Sequence, residues 1–79
     1  MREVHPAALR HGIEVADIKH ALRHPMKVVE HDDGSRLHLG PGRNAELLEV
    51  VTVRRPDGSE RAVHAMKMRP KYATLLPRE

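Results

Sequence analysis

The chain predicts a small α+β domain with two N-terminal helices, a three- to four-stranded antiparallel β-meander and a short C-terminal helix. Three observations carry that prediction. Apolar positions from Val15 to Leu22 recur at helical spacing, whereas those from Leu47 to Val53 and from Arg61 to Met68 are rich in β-branched residues and partly alternate. Pro56-Asp57-Gly58 lies between the last two segments as a turn signal, so they fold back on each other as one long hairpin. Finally, 79 residues hold too little apolar material for a second core, which makes residues 1–79 a single small domain.

Taken in order, Met1 to Val4 is too short to classify. Pro6 suits a first helical position and Gly12 a stop, giving a helix over residues 6–11; His5 falls at its cap, where histidine is a poor capping residue. A second helix spans residues 14–23, with Val15, Ile18, Ala21 and Leu22 on one stripe. Its acidic residues come early and its basic ones late, as the helix dipole favours, and His24-Pro25 ends it. That stripe needs a sheet to cover. Strands follow over residues 27–30 and 35–39, joined by the turn His31-Asp32-Asp33-Gly34, with Leu37 and Leu39 inward and Arg36 and His38 outward. Gly40-Pro41-Gly42-Arg43-Asn44 is a second turn; it lacks the Gly-Lys-Ser or Gly-Lys-Thr ending and the following helix of a phosphate loop.

Strands over residues 45–53 and 61–68 build the hairpin. If Asp57-Gly58 is a two-residue turn, Val53 pairs with Ala62, Thr52 with Val63, Val51 with His64, Val50 with Ala65 and Leu48 with Lys67, and a bulge would shift this register. One face then carries Leu48, Val50, Thr52, Val63 and Ala65, the other Leu47, Glu49, Val51, Val53, Ala62, His64, Met66 and Met68. Both are largely apolar, which puts the hairpin in the middle of a sheet. A last helix over residues 70–76 has Pro70 near its start and Tyr72, Leu75 and Leu76 as its docking side.

Composition narrows the function. The formal charge of +3, with seven histidines besides, suits an anionic partner such as nucleic acid or an acidic protein. No cysteine is present, which excludes disulfides, thiolate metal sites and thiol nucleophiles, and Tyr72 as the single aromatic argues against a base-stacking platform. No apolar run reaches membrane-spanning length and the N-terminus lacks a secretory segment, so a cytoplasmic protein without a membrane partner is expected. The histidines form no compact zinc pattern, and His20 with His24 lacks a third ligand nearby; neither a metal nor a cofactor is expected. Ser35 and Ser59 sit in turns without a nucleophile elbow. A two-metal nuclease needs several converging carboxylates, and Glu49 is the one strand-borne acid with an obvious route to a covered site.

Metal-free RNA cleavage asks for less, because the 2′-hydroxyl of the RNA is itself the nucleophile. The candidate catalytic residues are His64 as acid or base, Lys67 and Arg69 on the phosphate, Tyr72 as proton donor or base-packing ring, and Glu49. Candidate RNA-binding residues are Arg54, Arg61, Lys67, Arg69 and Lys71, of which Lys67, Arg69 and Lys71 form the densest basic patch. The structural alternative stands beside this: His64 fills the sheet surface, Tyr72 anchors the last helix and the cations solvate the chain.

His5, Arg10, Gly12-Ile13, Asp17, Ala21-Leu22 and Pro25, followed by the meander and by Val63-His64-Ala65-Met66-Lys67-Met68-Arg69-Pro70-Lys71, give a pattern that resembles the small BrnT-like toxins and the related uncharacterised domains near them, compact relatives of the RelE/ParE-like fold. The resemblance implies the toxin of a bacterial type II toxin-antitoxin pair, acting as a metal-independent endoribonuclease on mRNA and held by an antitoxin protein, with dimerisation through an edge strand or within the partner complex. It also implies that His11-Gly12-Ile13 is an architectural turn between the first helices. Ala65 and Lys67 match the family's last strand. Met66 stands where the family usually has arginine, and Arg69-Pro70-Lys71-Tyr72 replaces its Thr-Arg-Arg-Glu continuation, which leaves Lys67 and Arg69 to supply the charge. Two other classes remain: a non-catalytic RNA- or protein-binding module using the basic C-terminal patch, and a purely structural small domain.

Overall fold

The β-branched run Val50 to Val53 makes Leu47–Arg54 a strand, Glu60–Lys67 pairs along it to form the other of the two longest, and pairing on both sides of the first puts it at the centre of a sheet. The computed structural model describes residues 3–77. In chain order they form β1 (Glu3–Val4), a 3₁₀ turn (Pro6–Leu9), α1 (Val15–Arg23), β2 (Lys27–Glu30), β3 (Ser35–Pro41), β4 (Leu47–Arg54), β5 (Glu60–Lys67) and a second 3₁₀ turn (Pro70–Leu75). The fold is α+β. β2 to β5 are an antiparallel meander, and β1 adds to its far edge in parallel with β5, Glu3 opposite Arg61 and Val4 opposite Ala62, giving the order β1-β5-β4-β3-β2.

α1 lies on one face. Ile18, Ala21 and Leu22 are buried against Leu48, Val50, Ala62 and Ala65, with Ala8 from the first 3₁₀ turn completing the cluster and Val4 and Ile13 at its edge. Val15, expected on the same stripe, is exposed at the rim. The helix sits this close because Gly40 on β3 has no side chain: a Cβ there would come 2.6 Å from the Ala21 carbonyl oxygen and 3.1 Å from that of His24. No side chain caps α1 at Glu14; Asp17 in its first turn instead accepts from the Arg43 N–H at 2.9 Å and from Arg43 Nε at 2.8 Å, tying the helix start to the β3–β4 loop.

Several expectations need correction. The hairpin turn is one residue longer than Asp57-Gly58: Arg55 and Ser59 close it, Gly58 takes φ of +89°, and Asp57 accepts from the Ser59 N–H and hydroxyl. A bulge at Val63 then absorbs the difference. Thr52 pairs with Ala62 and Val53 with Arg61, whereas Val51–His64, Val50–Ala65 and Leu48–Lys67 pair as expected. The bulge moves Ala62 to the helix side and lets two alanines share the space under α1. His38 does point away from Leu37, but onto the covered face: it is 2 % exposed, its Nε2 lies 2.9 Å from Thr52 Oγ1, and that hydroxyl donates to Glu60. The segments expected as helices over residues 6–11 and 70–76 are short 3₁₀ turns, each starting at a proline, the first stopped by the turn at Gly12 and the second by the extended Leu76 before Pro77. His5 does cap the first, its Nδ1 accepting from the Ala7 N–H at 3.0 Å. β1 lies within the segment that was too short to classify.

Candidate functional site

The face of the sheet away from α1 carries Leu37, Leu39, Glu49, Val51, His64 and Met66, as the cross-strand pairs Leu37–Val51–His64 and Leu39–Glu49–Met66 require. Glu49 is the outlier among them, a carboxylate only 1 % exposed. Burial of such a group demands partners for all its lone pairs. β5 supplies them at its exit: Met68 still donates to the Leu47 carbonyl, after which Arg69 turns back over Glu49. Glu49 Oε1 accepts from the Arg69 backbone N–H at 2.9 Å and from its Nε at 3.0 Å, while Oε2 accepts from Arg69 Nη2 at 2.8 Å and from His64 Nε2 at 3.1 Å. Four donors thus meet two oxygens. Burial pushes the Glu49 carboxyl up, but the Arg69 guanidinium and N–H, with the His64 ring, outweigh it and hold the group at about 2. Glu49 in turn pushes the Arg69 guanidinium up.

This arrangement defines what the cluster can do. Glu49 is a fixed anion and does not serve as a proton donor near neutral pH. By accepting at Nε2 it sets the His64 tautomer and leaves Nδ1 as the basic nitrogen, the role a buried carboxylate plays behind a general base. His64 keeps 28 % of its side chain in solvent. Tyr72 adjoins the cluster through Arg69 and lies under two cations, with the Arg69 guanidinium carbon 5.6 Å and Lys71 Nζ 5.0 Å from its ring centroid. His11, which the family resemblance puts in an architectural turn, brings its ring edge-on to His64 with centroids 5.6 Å apart. Gly12 at φ of +78° shapes the turn that carries it, and that glycine is the one local signal for it.

Of the candidate catalytic residues, then, Glu49, His64, Arg69 and Tyr72 gather at one place and Lys67 does not. Lys67 pairs with Leu48, whose side chain is in the helix-side core; its own is 73 % exposed and meets Glu46 at 3.5 Å. The candidate RNA-binding residues are spread rather than gathered. Arg54 lies by the hairpin turn in a groove with Glu30, Arg36 and Arg55, Arg61 lines another groove with His5 and Lys19 near β1, and Lys67, Arg69 and Lys71 stand at the opposite end of β5. Arg43, from the glycine-rich loop, serves Asp17 and Glu14.

Among the described residues no three His, Cys, Asp or Glu side chains converge as a metal-binding group, and no helix is long and apolar enough to cross a membrane. Comparison of the chain with protein-family models, with curated proteins and with solved structures yields no match.

Proposed function

We propose that the protein is a metal-independent endoribonuclease, the toxin of a bacterial toxin-antitoxin pair with a RelE/ParE-like fold. The observation that carries this reading is the His64 imidazole, oriented through Nε2 by the buried Glu49 carboxylate at 3.1 Å, on the same carboxylate as Arg69, whose guanidinium stands with Lys71 against the Tyr72 ring. His64 Nδ1 takes the proton of an RNA 2′-hydroxyl as that oxygen attacks the adjacent phosphorus, and Glu49 stabilises the imidazolium that forms. The 5′-oxygen leaves with a proton from Tyr72, giving a 2′,3′-cyclic phosphate. Lys71, without a carboxylate partner among the described residues, holds the phosphate, and Arg69 keeps Glu49 charged. The N-terminal helical segments, the antiparallel meander and the C-terminal turn support the RelE/ParE-like assignment, and an antitoxin protein that covers the His64 face is the expected partner.

The test is cleavage of a long RNA in EDTA by refolded protein free of any partner. Wild type is expected to yield fragments ending in cyclic phosphate and His64→Ala none. Intact RNA with folded wild-type protein overturns the proposal, and cleavage undiminished in His64→Ala assigns it to a contaminant. One observation favours a second reading, that of a non-catalytic binding module: both guanidinium edges that face Glu49 are already occupied, which neutralises the cation nearest His64. That reading predicts RNA or protein association that weakens steeply with salt and gives no product.

A further inference from the structure

His20 and His24 lie outside the site described above, at the last turn and the C-cap of α1. The His24 N–H closes on the His20 carbonyl at 3.1 Å, so helical spacing holds the two side chains as neighbours, with ring centroids 4.6 Å apart and planes tilted by 43°. His20 is half-buried, and its Nδ1 lies 2.7 Å from the Pro41 carbonyl oxygen. A carbonyl only accepts, so Nδ1 carries the proton and the lone pair stands at Nε2. A backbone carbonyl behind the far nitrogen is the contact that fixes tautomer and ring orientation in metal-bound imidazoles. His24 is exposed and its ring can turn to meet a shared ion. The helix C-terminus adds a negative dipole end that favours a cation. Asp17, one turn earlier, is held by Arg43 and supplies no third donor.

We propose that His20 and His24 form a two-imidazole surface site for a late first-row divalent cation, with water completing the coordination. Two nitrogens and water suit the tetragonal preference of Cu²⁺ and Ni²⁺, and the affinity order of divalent ions puts Cu²⁺ first. Zn²⁺, whose structural sites close around four protein donors, binds more weakly. The site is independent of the ribonuclease reading.

The test uses the full chain, stripped with EDTA and then titrated with CuCl₂ while two-dimensional amide spectra are recorded. Substoichiometric Cu²⁺ is expected to broaden the amides of residues 20–24 and of Gly40 and Gly42 before those around His5, His31 or His64. His24→Gln is expected to abolish that early broadening and to reduce the rise in Tm with NiCl₂, which depends on binding to the folded chain alone. Broadening spread evenly over all the histidines, or early broadening that survives in His24→Gln, overturns the proposal. The wild-type pattern decides even if the variant fails to fold.

Discussion

On one side of the sheet Ile18, Ala21 and Leu22 close over Leu48, Val50, Ala62 and Ala65 with hydrocarbon, whereas on the other a carboxylate, a guanidinium and an imidazole lock together at the end of β5. The same two strands supply both, at alternate residues. Hydrocarbon contact has no direction and needs only volume and shape, so the helix side is limited by how near α1 can approach. The Glu49 cluster is directional, each oxygen being matched to named donors, and removal of a donor leaves the buried Glu49 carboxylate short of a partner. Charge on that side therefore specifies where the C-terminal segment lies, while the helix side supplies most of the apolar burial, Leu37 and Leu39 being buried on the other.

Three substitutions test this contrast. The largest effect is expected at Gly40→Ala, where the new Cβ meets backbone atoms of Ala21, His24 and Pro25 that no rotamer change can move. It should cost about 3 kcal/mol in urea unfolding and be insensitive to pH. Glu49→Gln should cost about 2 kcal/mol at neutral pH and behave differently on acidification. The Glu49 carboxyl is held at about 2 against an ordinary 4.5, so its contribution is complete above 4.5 and is lost as pH falls through 2. The gap between wild type and Glu49→Gln should therefore close toward pH 2, and a gap that stays constant would contradict the ionic account. Lys67→Ala, removing an exposed cation 3.5 Å from Glu46, should change stability by less than about 0.5 kcal/mol and leave the proposed RNA cleavage unchanged. A large loss there would erase the distinction between the two sides.

What the sequence made legible follows the reach of each interaction. Alternation in β4 and β5 is local and made the strands legible, but the pairs Val51–His64 and Val50–Ala65 follow from a two-residue turn only because the extra turn residue and the Val63 bulge offset each other. The bulge could not be read from it, because it depends on the three-residue turn at Pro56-Asp57-Gly58 and on the room beneath α1. The period separates His38 from Leu37 but makes it outward, whereas it is buried on the helix side, since coverage by the helix layer is a tertiary property. Arg69 was expected near phosphate on charge alone; that its guanidinium is committed to Glu49 depends on how the chain turns after Met68. His11 carried no spacing that linked it to His64.

β1 has a bearing on how the chain assembles. Glu3 and Val4 find their partners in Arg61 and Ala62, and the Arg55 side chain bonds Glu3, so the first strand of the sheet is the last that can be placed. During synthesis β2, β3 and β4 can pair as they emerge, each with its immediate neighbour, but β1 must wait for β5. That pairing is the non-local one in a sheet whose other strands each pair with a sequence neighbour. The His64 cluster shares the dependence, because β5 and the Arg69 turn must both be in place before Glu49 is satisfied.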